Sequence, residues 1–346
     1  MIGECRKYSP DLILLNHRLG LKKAEQCATT FLWEGKESYI DVNSFNTCAA
    51  PHNRVGALGR GLVPDLKRLT EDHGVCLSSC LDYWEDELVL QAFNRSLLLS
   101  PQIYGNPWLL SDREFPKLAR IFNLHRKFSG LLVDGIELPS AYGKYAVSRG
   151  DDKTRLITLR NLTWEPQKVN IVLDHEIGLE ECKRVKCRLY HPVERILGIY
   201  NYGESVEVTV LPFRSMLFYA SADESLDGIG VEGTDFEIIK DVVGKPIEIN
   251  LLGFAGTQSH IKLNNLPGVE KIEMDGQDVT KKLSNSKTMN INFEGGKYSK
   301  SYHRKIADLS PVSIPYDVNT LYEATVFVAD NNAMEVRSLY RSGTTK

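Results

Sequence analysis

The 346-residue sequence predicts an α/β region followed by an all-β region, and three observations carry that reading. Over roughly the first 136 residues, short apolar runs alternate with stretches of helical spacing, as in parallel α/β layers. Beyond them, apolar residues recur at every second position, as in half-buried antiparallel strands. The change of rhythm falls at Leu138-Pro139.

The elements follow in order. Met1 to Tyr8 reads as the tail of a helix running into a strand. Asp11 to Leu15 is the first buried-strand candidate and ends in Asn16-His17-Arg18. Thr29 to Trp33 is the second and ends in Glu34. Gly74 to Ser79 is the third and runs into Leu81-Asp82-Tyr83-Trp84-Glu85-Asp86. Ser96 to Ser100 is the fourth and ends in Pro101-Gln102-Ile103-Tyr104. Apolar runs this short, bounded by turn residues, suit strands buried on both faces.

The intervals hold helical spacing. Leu58, Leu62, Leu66 and Leu69 share one helix face, and Pro64 suits a start rather than an interior position. Ser111-Asp112-Arg113-Glu114 has the spacing of a capping box, followed by Phe115, Leu118, Phe122 and His125 on one stripe. Four β/α units are half of a (β/α)₈ barrel, which takes eight strands and about 250 residues. Residues 1–136 therefore read as the C-terminal half of a TIM barrel, whose first half is not in this chain. The alternative is a small open α/β layer complete in itself.

Residues 137–225 read as an antiparallel β-sandwich. Val206, Val208 and Val210 alternate with Glu207 and Thr209, and Arg155 to Leu162, Lys168 to Leu173 and Arg214 to Tyr219 are further strands. Gly150-Asp151-Asp152 is a turn between two of them. Ser221 to Gly233 has linker composition. Residues 226–300 form a second β-rich module. There Ile247, Ile249 and Leu251 alternate with polar residues, as do Met289, Ile291 and Phe293, and Asp275-Gly276 is a hairpin turn. Residues 301–346 read as an incomplete β-rich tail with a strand over Leu321 to Ala329.

Composition excludes several classes. Hydrophobic residues make up 42% and charged residues 25%, which are globular values rather than those of a disordered or collagen-like chain. A net charge of -3 with no basic run speaks against nucleic acid and against a membrane surface as partners. No stretch nears the roughly 18 apolar residues that cross a bilayer. The seven cysteines are too sparse for a disulfide scaffold, and Cys76/Cys80 and Cys182/Cys187 lack zinc-knuckle spacing. Cysteine usage leaves the compartment open; secretion or a periplasmic location follows only if the chain belongs to a longer precursor. His17, His52 and His73 are too scattered for a metal motif, and neither a nucleophile elbow nor a Walker loop occurs.

In parallel α/β folds, chemistry gathers at the C-terminal ends of strands. Those ends here hold Asn16, His17, Arg18, Trp33, Glu34, Asp82, Trp84, Glu85, Asp86, Tyr104 and Asn106. Sugars present apolar CH faces that stack on Trp and Tyr, and hydroxyl rims that need Asp, Asn, Arg and His. Glycoside hydrolysis needs two carboxyl groups, one of them kept protonated by its surroundings. Glu34 beside Trp33, and Asp82 or Glu85 around Trp84, meet that description. Plainer roles exist for each: Asp86 as a cap for the helix through Leu88 to Phe93, Trp33 and Trp84 as core aromatics, His17 as a core histidine.

The run Leu97-Leu98-Leu99-Ser100-Pro101, Tyr104-Gly105-Asn106-Pro107, Leu110-Ser111-Asp112-Arg113-Glu114 and the helix to Arg126 resembles the last β/α unit of α-galactosidase-like barrels, the retaining glycoside hydrolases of the melibiase clan. The resemblance covers about the first 225 residues, because a β-sandwich follows the barrel in that clan. It implies hydrolysis of α-linked sugars, an oligosaccharide or glycoside substrate and no cofactor. The clan's nucleophile is an Asp after strand four, which on this count would lie upstream of Met1, and association with a missing N-terminal barrel half is implied. The acid/base, an Asp after strand six in the clan, falls on Glu34 or less directly on Asp41; if the strand count shifts by one, it falls on Asp82. Asn16, His17, Arg18, Trp84 and Tyr104 would line the sugar subsite. The competing expectation is a non-catalytic carbohydrate-binding or cell-surface protein whose exposed aromatics, such as Trp164, Tyr200, Tyr202 or Tyr298, form the binding face.

Overall fold

The computed structural model describes residues 2–12, 15–17, 30–32, 75–77, 84–94, 101, 103–105, 110–226, 228–264, 269–286, 288–295, 321–328 and 334–341. Among the described residues antiparallel strands are the commonest regular structure, and helices are few. A first helix, α1, covers Ile2–Tyr8. Strands β1 (Leu15–His17) and β2 (Thr30–Leu32) pair in parallel, with His17 opposite Leu32. Strands β3 (Val75–Leu77) and β4 (Ile103–Gly105) form a second parallel pair, with Leu77 opposite Gly105. In each pair the C-terminal ends are therefore level.

Two strands include residues that lie beyond the apolar runs. Asn16 and His17 stand inside β1 rather than beyond it, and Tyr104 stands inside β4. A run of leucines marks what wants burial, whereas the ladder is set by partner register. The leucine-rich helix over residues 58–69 lies outside the described residues, as do residues 96–100.

Helix α2 (Trp84–Phe93) follows β3 with Glu85, Asp86 and Glu87 in its first turn, where the helix dipole favours carboxylates. Every residue of α2 but Glu85 is buried. Helix α3 (Phe115–Phe128) follows β4, and its Pro116 sits in the first turn, where no N–H is needed. The capping pattern is half realised: the Ser111 backbone N–H and Oγ donate to Glu114 Oε2 at 2.8 and 2.9 Å. The buried stripe of α3 is Ile121, Leu124, His125 and Phe128, while Phe115 is 41% exposed. That stripe lies one step round from the expected Phe115/Leu118/Phe122/His125 face; both have helical spacing, and packing selects the one that carries Phe128.

The largest sheet has six antiparallel strands, built from β5 (Gly135–Glu137), β6 (Val147–Gly150), β7 (Thr154–Arg160), β9 (Val185–His191), β10 (Arg195–Tyr200) and β12 (Ser215–Ser221) in the order β10-β9-β12-β7-β6-β5. Strands β8 (Gln167–Val172) and β11 (Ser205–Val210) pair in a second sheet. One core fills the space between the two sheets, with Ile157, Leu159, Phe218 and Ala220 from the larger and Val169, Ile171, Val206 and Val208 from the smaller. A second core lies on the other face of the larger sheet, where Leu156, Tyr190, Leu217 and Tyr219 meet Leu88, Phe93, Ile121, Leu124 and Phe128 of the helices. The larger sheet is thus a middle layer. Strands β7 and β12 are buried at every position, while β11, with one face in solvent, alternates exposed and buried.

Strands β13 (Gly230–Glu232), β14 (Asp235–Lys240), β15 (Glu248–Leu252), β16 (Gln258–Asn264) and β19 (Thr288–Asn292) surround a third core of Val231, Phe236, Ile238, Ile261, Leu283 and Met289. Between them, β17 (Glu273–Met274) and β18 (Gln277–Asp278) form the hairpin expected at Asp275-Gly276, and both turn residues take positive φ, 49° and 77°. Helix α4 (Thr280–Ser286) precedes β19. The hairpin of β20 (Leu321–Val328) and β21 (Met334–Arg341) ends the described chain. Part of the expected linker is ordered structure, with a 3-10 turn at Glu224–Leu226 and then β13. Among the described residues no helix is long and apolar enough to cross a membrane.

Candidate functional site

Of the expected site residues, Arg18, Trp33, Glu34, Asp41, Asp82 and Asn106 lie outside the described residues. Asn16, His17 and Tyr104 are placed in strands, in register with Phe31, Leu32 and Cys76 respectively. Trp84, Glu85 and Asp86 are described in full, and they come together at the start of α2.

Asp86 has no exposed surface. Its Oδ1 is hydrogen-bonded to His191 Nε2, and Arg214 Nη2 lies 3.3 Å from the same oxygen. Its Oδ2 accepts from Arg214 Nε at 2.9 Å and from the Ser215 backbone N–H at 3.3 Å. The Ser215 hydroxyl donates to the Asp86 carbonyl at 3.4 Å. A carboxylate offers about four acceptor positions, so this one has none left for a ligand. Its geometry ties the first turn of α2 to the end of β9 and the start of β12.

Glu85 differs. Its side chain keeps 18% of its surface open and pairs with Arg214, whose Nη2 stands 3.3 Å from Oε1. Burial pushes its carboxyl above the usual range, and the neighbouring Asp86 charge adds to that, while Arg214 opposes both. Among the three, Glu85 alone keeps an opening to solvent. Trp84 is buried, and its indole N–H donates to Glu114 Oε1 at 2.8 Å, joining α2 to the turn before α3.

His191 lies against Asp86 with 1% exposure. Burial, with help from Lys117 and Arg214, lowers its pKa to about 4 despite the Asp86 charge. The ring is therefore neutral near pH 7, with its proton on Nε2 facing Asp86 and an unprotonated Nδ1 that meets no hydrogen-bond partner among the described residues.

A second buried cluster lies at α3. Arg120 donates to Glu194 through Nε at 2.7 Å and Nη2 at 3.1 Å, and Arg188 Nη2 bonds the same carboxylate. Burial would raise Glu194, but Arg188 and Arg120 together hold it below the usual range. Arg188 also reaches the Ile229 carbonyl at 3.0 Å and lies over the Phe236 ring at 5.1 Å. The cluster joins α3 to the middle sheet and to the third core.

Nothing local in the sequence marks His191, Arg214, Arg188, Arg120 or Glu194 as partners of these groups. The separation along the chain is 105 residues for His191–Asp86 and 128 for Arg214–Asp86. A lone buried arginine at a strand end has no spacing signature. No group of three potential metal ligands occurs among the described residues.

No protein-family model matches the chain, and no curated protein matches it. Partial likenesses to solved structures exist. An α-amylase from Geobacillus thermoleovorans matches with 12% identity and a TM-score of 0.40, over 64% of this chain and 56% of its own. The α-galactosidase I of Mortierella vinacea matches with 13% identity and a TM-score of 0.36, over 57% of this chain and 54% of its own. A β-L-arabinopyranosidase of glycoside hydrolase family 27 from Geobacillus stearothermophilus matches with 14% identity and a TM-score of 0.31, over 44% of this chain and 32% of its own. The chain thus spans about a third to a little over half the length of these glycoside hydrolases. Scores this low do not establish a common fold.

Proposed function

We propose that this chain is the C-terminal part of a retaining glycoside hydrolase acting on α-linked sugars, of the α-galactosidase-like kind. The observation that carries the reading is the order of its layers. The parallel strands β3 and β4 are each followed by a helix, α2 and α3 respectively, and those helices pack on an antiparallel two-sheet unit. This is the order expected of the last β/α units of a barrel followed by a sandwich. The Ser111–Glu114 contact supports it too, because it occupies the segment on which the resemblance rests.

In this reading Glu34 protonates the leaving oxygen and later activates water, with Asp82 as the alternative for that role. Asn16, His17, Arg18, Trp33, Asp41, Tyr104 and Asn106 line the sugar subsite. Glu85, partly open and raised in pKa, is the one carboxyl of the α2 turn that faces outward enough to meet a hydroxyl. Trp84 and Asp86 hold that turn in place.

The test is to express the chain with any in-frame coding sequence that precedes it and to assay nitrophenyl glycosides. Glu34→Gln and Asp82→Asn are compared with Asp86→Asn. Loss of about 10²- to 10⁴-fold in turnover with sugar affinity retained is expected for the acid/base carboxyl. Asp86→Asn should lower the unfolding midpoint and leave affinity unchanged. Full activity in both Glu34→Gln and Asp82→Asn overturns the assignment.

A further inference from the structure

The connection between β7 and β8 carries a tryptophan that the fold does not bury. Trp164 is 71% exposed. The loop around it is nevertheless held firmly. Asn161, which has no exposed surface, donates through Nδ2 to the Glu165 carbonyl at 2.6 Å and to the Val210 carbonyl at 3.0 Å. Its Oδ1 accepts from the Thr163 N–H at 2.8 Å and the Thr163 hydroxyl at 2.7 Å. One side chain thus staples the loop to the end of β11.

The ring itself is braced. Phe213 meets the Trp164 indole in a T-shaped contact, with centroids 5.0 Å apart and planes at 83°. Phe213 is 9% exposed, packs with Leu90 and Leu162, and adopts φ of 54°, a conformation non-glycine residues seldom take. A T-shaped contact occupies at most one face of the indole, so a broad aromatic face stands open on a rigid support.

The surroundings select the ligand. Trp164 is flanked by Thr163, Glu165 and Pro166, all exposed, and by Gln167. A protein or bilayer partner calls for a contiguous apolar patch of a few hundred Å², on the order of several such side chains. One indole with a carboxylate (Glu165) and an amide (Gln167) close by along the chain instead suits a ligand with a small apolar face edged by hydroxyls. We infer that Trp164, braced by Phe213, is a stacking platform for a pyranose ring, with Glu165 and Gln167 placed to meet its hydroxyls. The platform uses none of the catalytic residues proposed above and does not depend on that proposal.

Saturation-transfer NMR on the full chain with methyl α-D-galactopyranoside and methyl β-D-glucopyranoside tests it, with glycerol as the control that lacks a ring. Binding of at least one pyranoside at about millimolar strength is expected, weakened about tenfold by Trp164→Ala and kept by Trp164→Tyr. Trp164→Ala should leave nitrophenyl glycoside turnover by the longer product unchanged, which separates this site from the catalytic one. If Trp164→Ala alters the circular dichroism melt, Trp164→Tyr and Trp164→Leu decide in its place, retained and lost binding respectively being expected. Equal binding by the parent and Trp164→Ala, glycerol signals equal to the sugars, no pyranoside signal at all, or a Trp164-dependent self-association without sugar binding would each overturn the inference.

Discussion

His191 shows how burial at one residue becomes a pH dependence of the whole. Its folded pKa of about 4 lies below the 6.5 of an ordinary histidine. Between those values the unfolded chain takes up a proton that the folded chain does not, so the contribution of His191 is complete above pH 6.5 and falls as pH drops. By about pH 4 it has cost on the order of 3 kcal/mol. His125, lowered to about 4 by burial and then by Arg126, acts in the same direction. Glu85 acts in the opposite one, since a raised carboxyl gains stability as pH falls through its range. Glu194, held low, loses its contribution only below 4.5. Urea unfolding should therefore give a lower free energy at pH 4.5 than at pH 7, and His191→Gln should flatten that slope by roughly half. An unchanged slope would mean that Asp86 and the other neighbours keep His191 titrating normally. The sequence made Asp86 a candidate because it stands beside Trp84 and Glu85. It could not reveal that Arg214 and His191 saturate the carboxylate, because the partners are brought in by strand register far along the chain.

At the scale of an element, two glycines in turns read from the sequence separate two kinds of constraint. Gly150 ends β6 with φ of 146°, and a Cβ there would stand 1.9 Å from the Thr154 carbonyl oxygen. Gly276 has φ of 77°, but an added Cβ would meet nothing within 4 Å. Gly276→Ala should cost about 1 kcal/mol, the conformational penalty alone. Gly150→Ala should cost about 3 kcal/mol or more, because backbone must move as well. Thermal unfolding of the two variants measures the difference, and equal losses would show that the hairpin yields freely. Both turns were legible because glycine and aspartate act locally. Strand β11 was legible because one of its faces is in water, which leaves an alternating pattern. Strands β9 and β10 were not. Most of β9 is buried on both faces and includes Arg188 and His191, so neither alternation nor a clean apolar run survives in the sequence.

On the scale of the molecule, the middle sheet binds helices on one face and the second sheet on the other. Leu156, Leu217, Tyr190 and Tyr219 are each below 5% exposed on the helix-facing side. Burying a large apolar side chain is worth about 1.5–3 kcal/mol, so separating the helices from the sheet would cost far more than a domain contact usually does. The ion clusters of Asp86 and Glu194 cross the same boundary. Native-state hydrogen exchange should therefore show α2, α3 and the six-stranded sheet opening together, with similar free energies. Exchange from the helices well before the sheet would mean that the boundary between 136 and 137 divides independent units. The change of rhythm near Leu138-Pro139 was plain in the sequence. That the two regions share a core was not, because nothing in a strand's own residues says what will lie on its second face.

The doubly covered centre of the middle sheet also limits where this protein can change over time. In β7 and β12 every position is buried, so each substitution is judged by a neighbour on one side or the other. In β11 every second position faces water, and there polar residues can be exchanged at little cost. Neutral drift in the sandwich should gather on the outer faces of β8 and β11, and the middle sheet should hold a record of common descent after the surface has lost it.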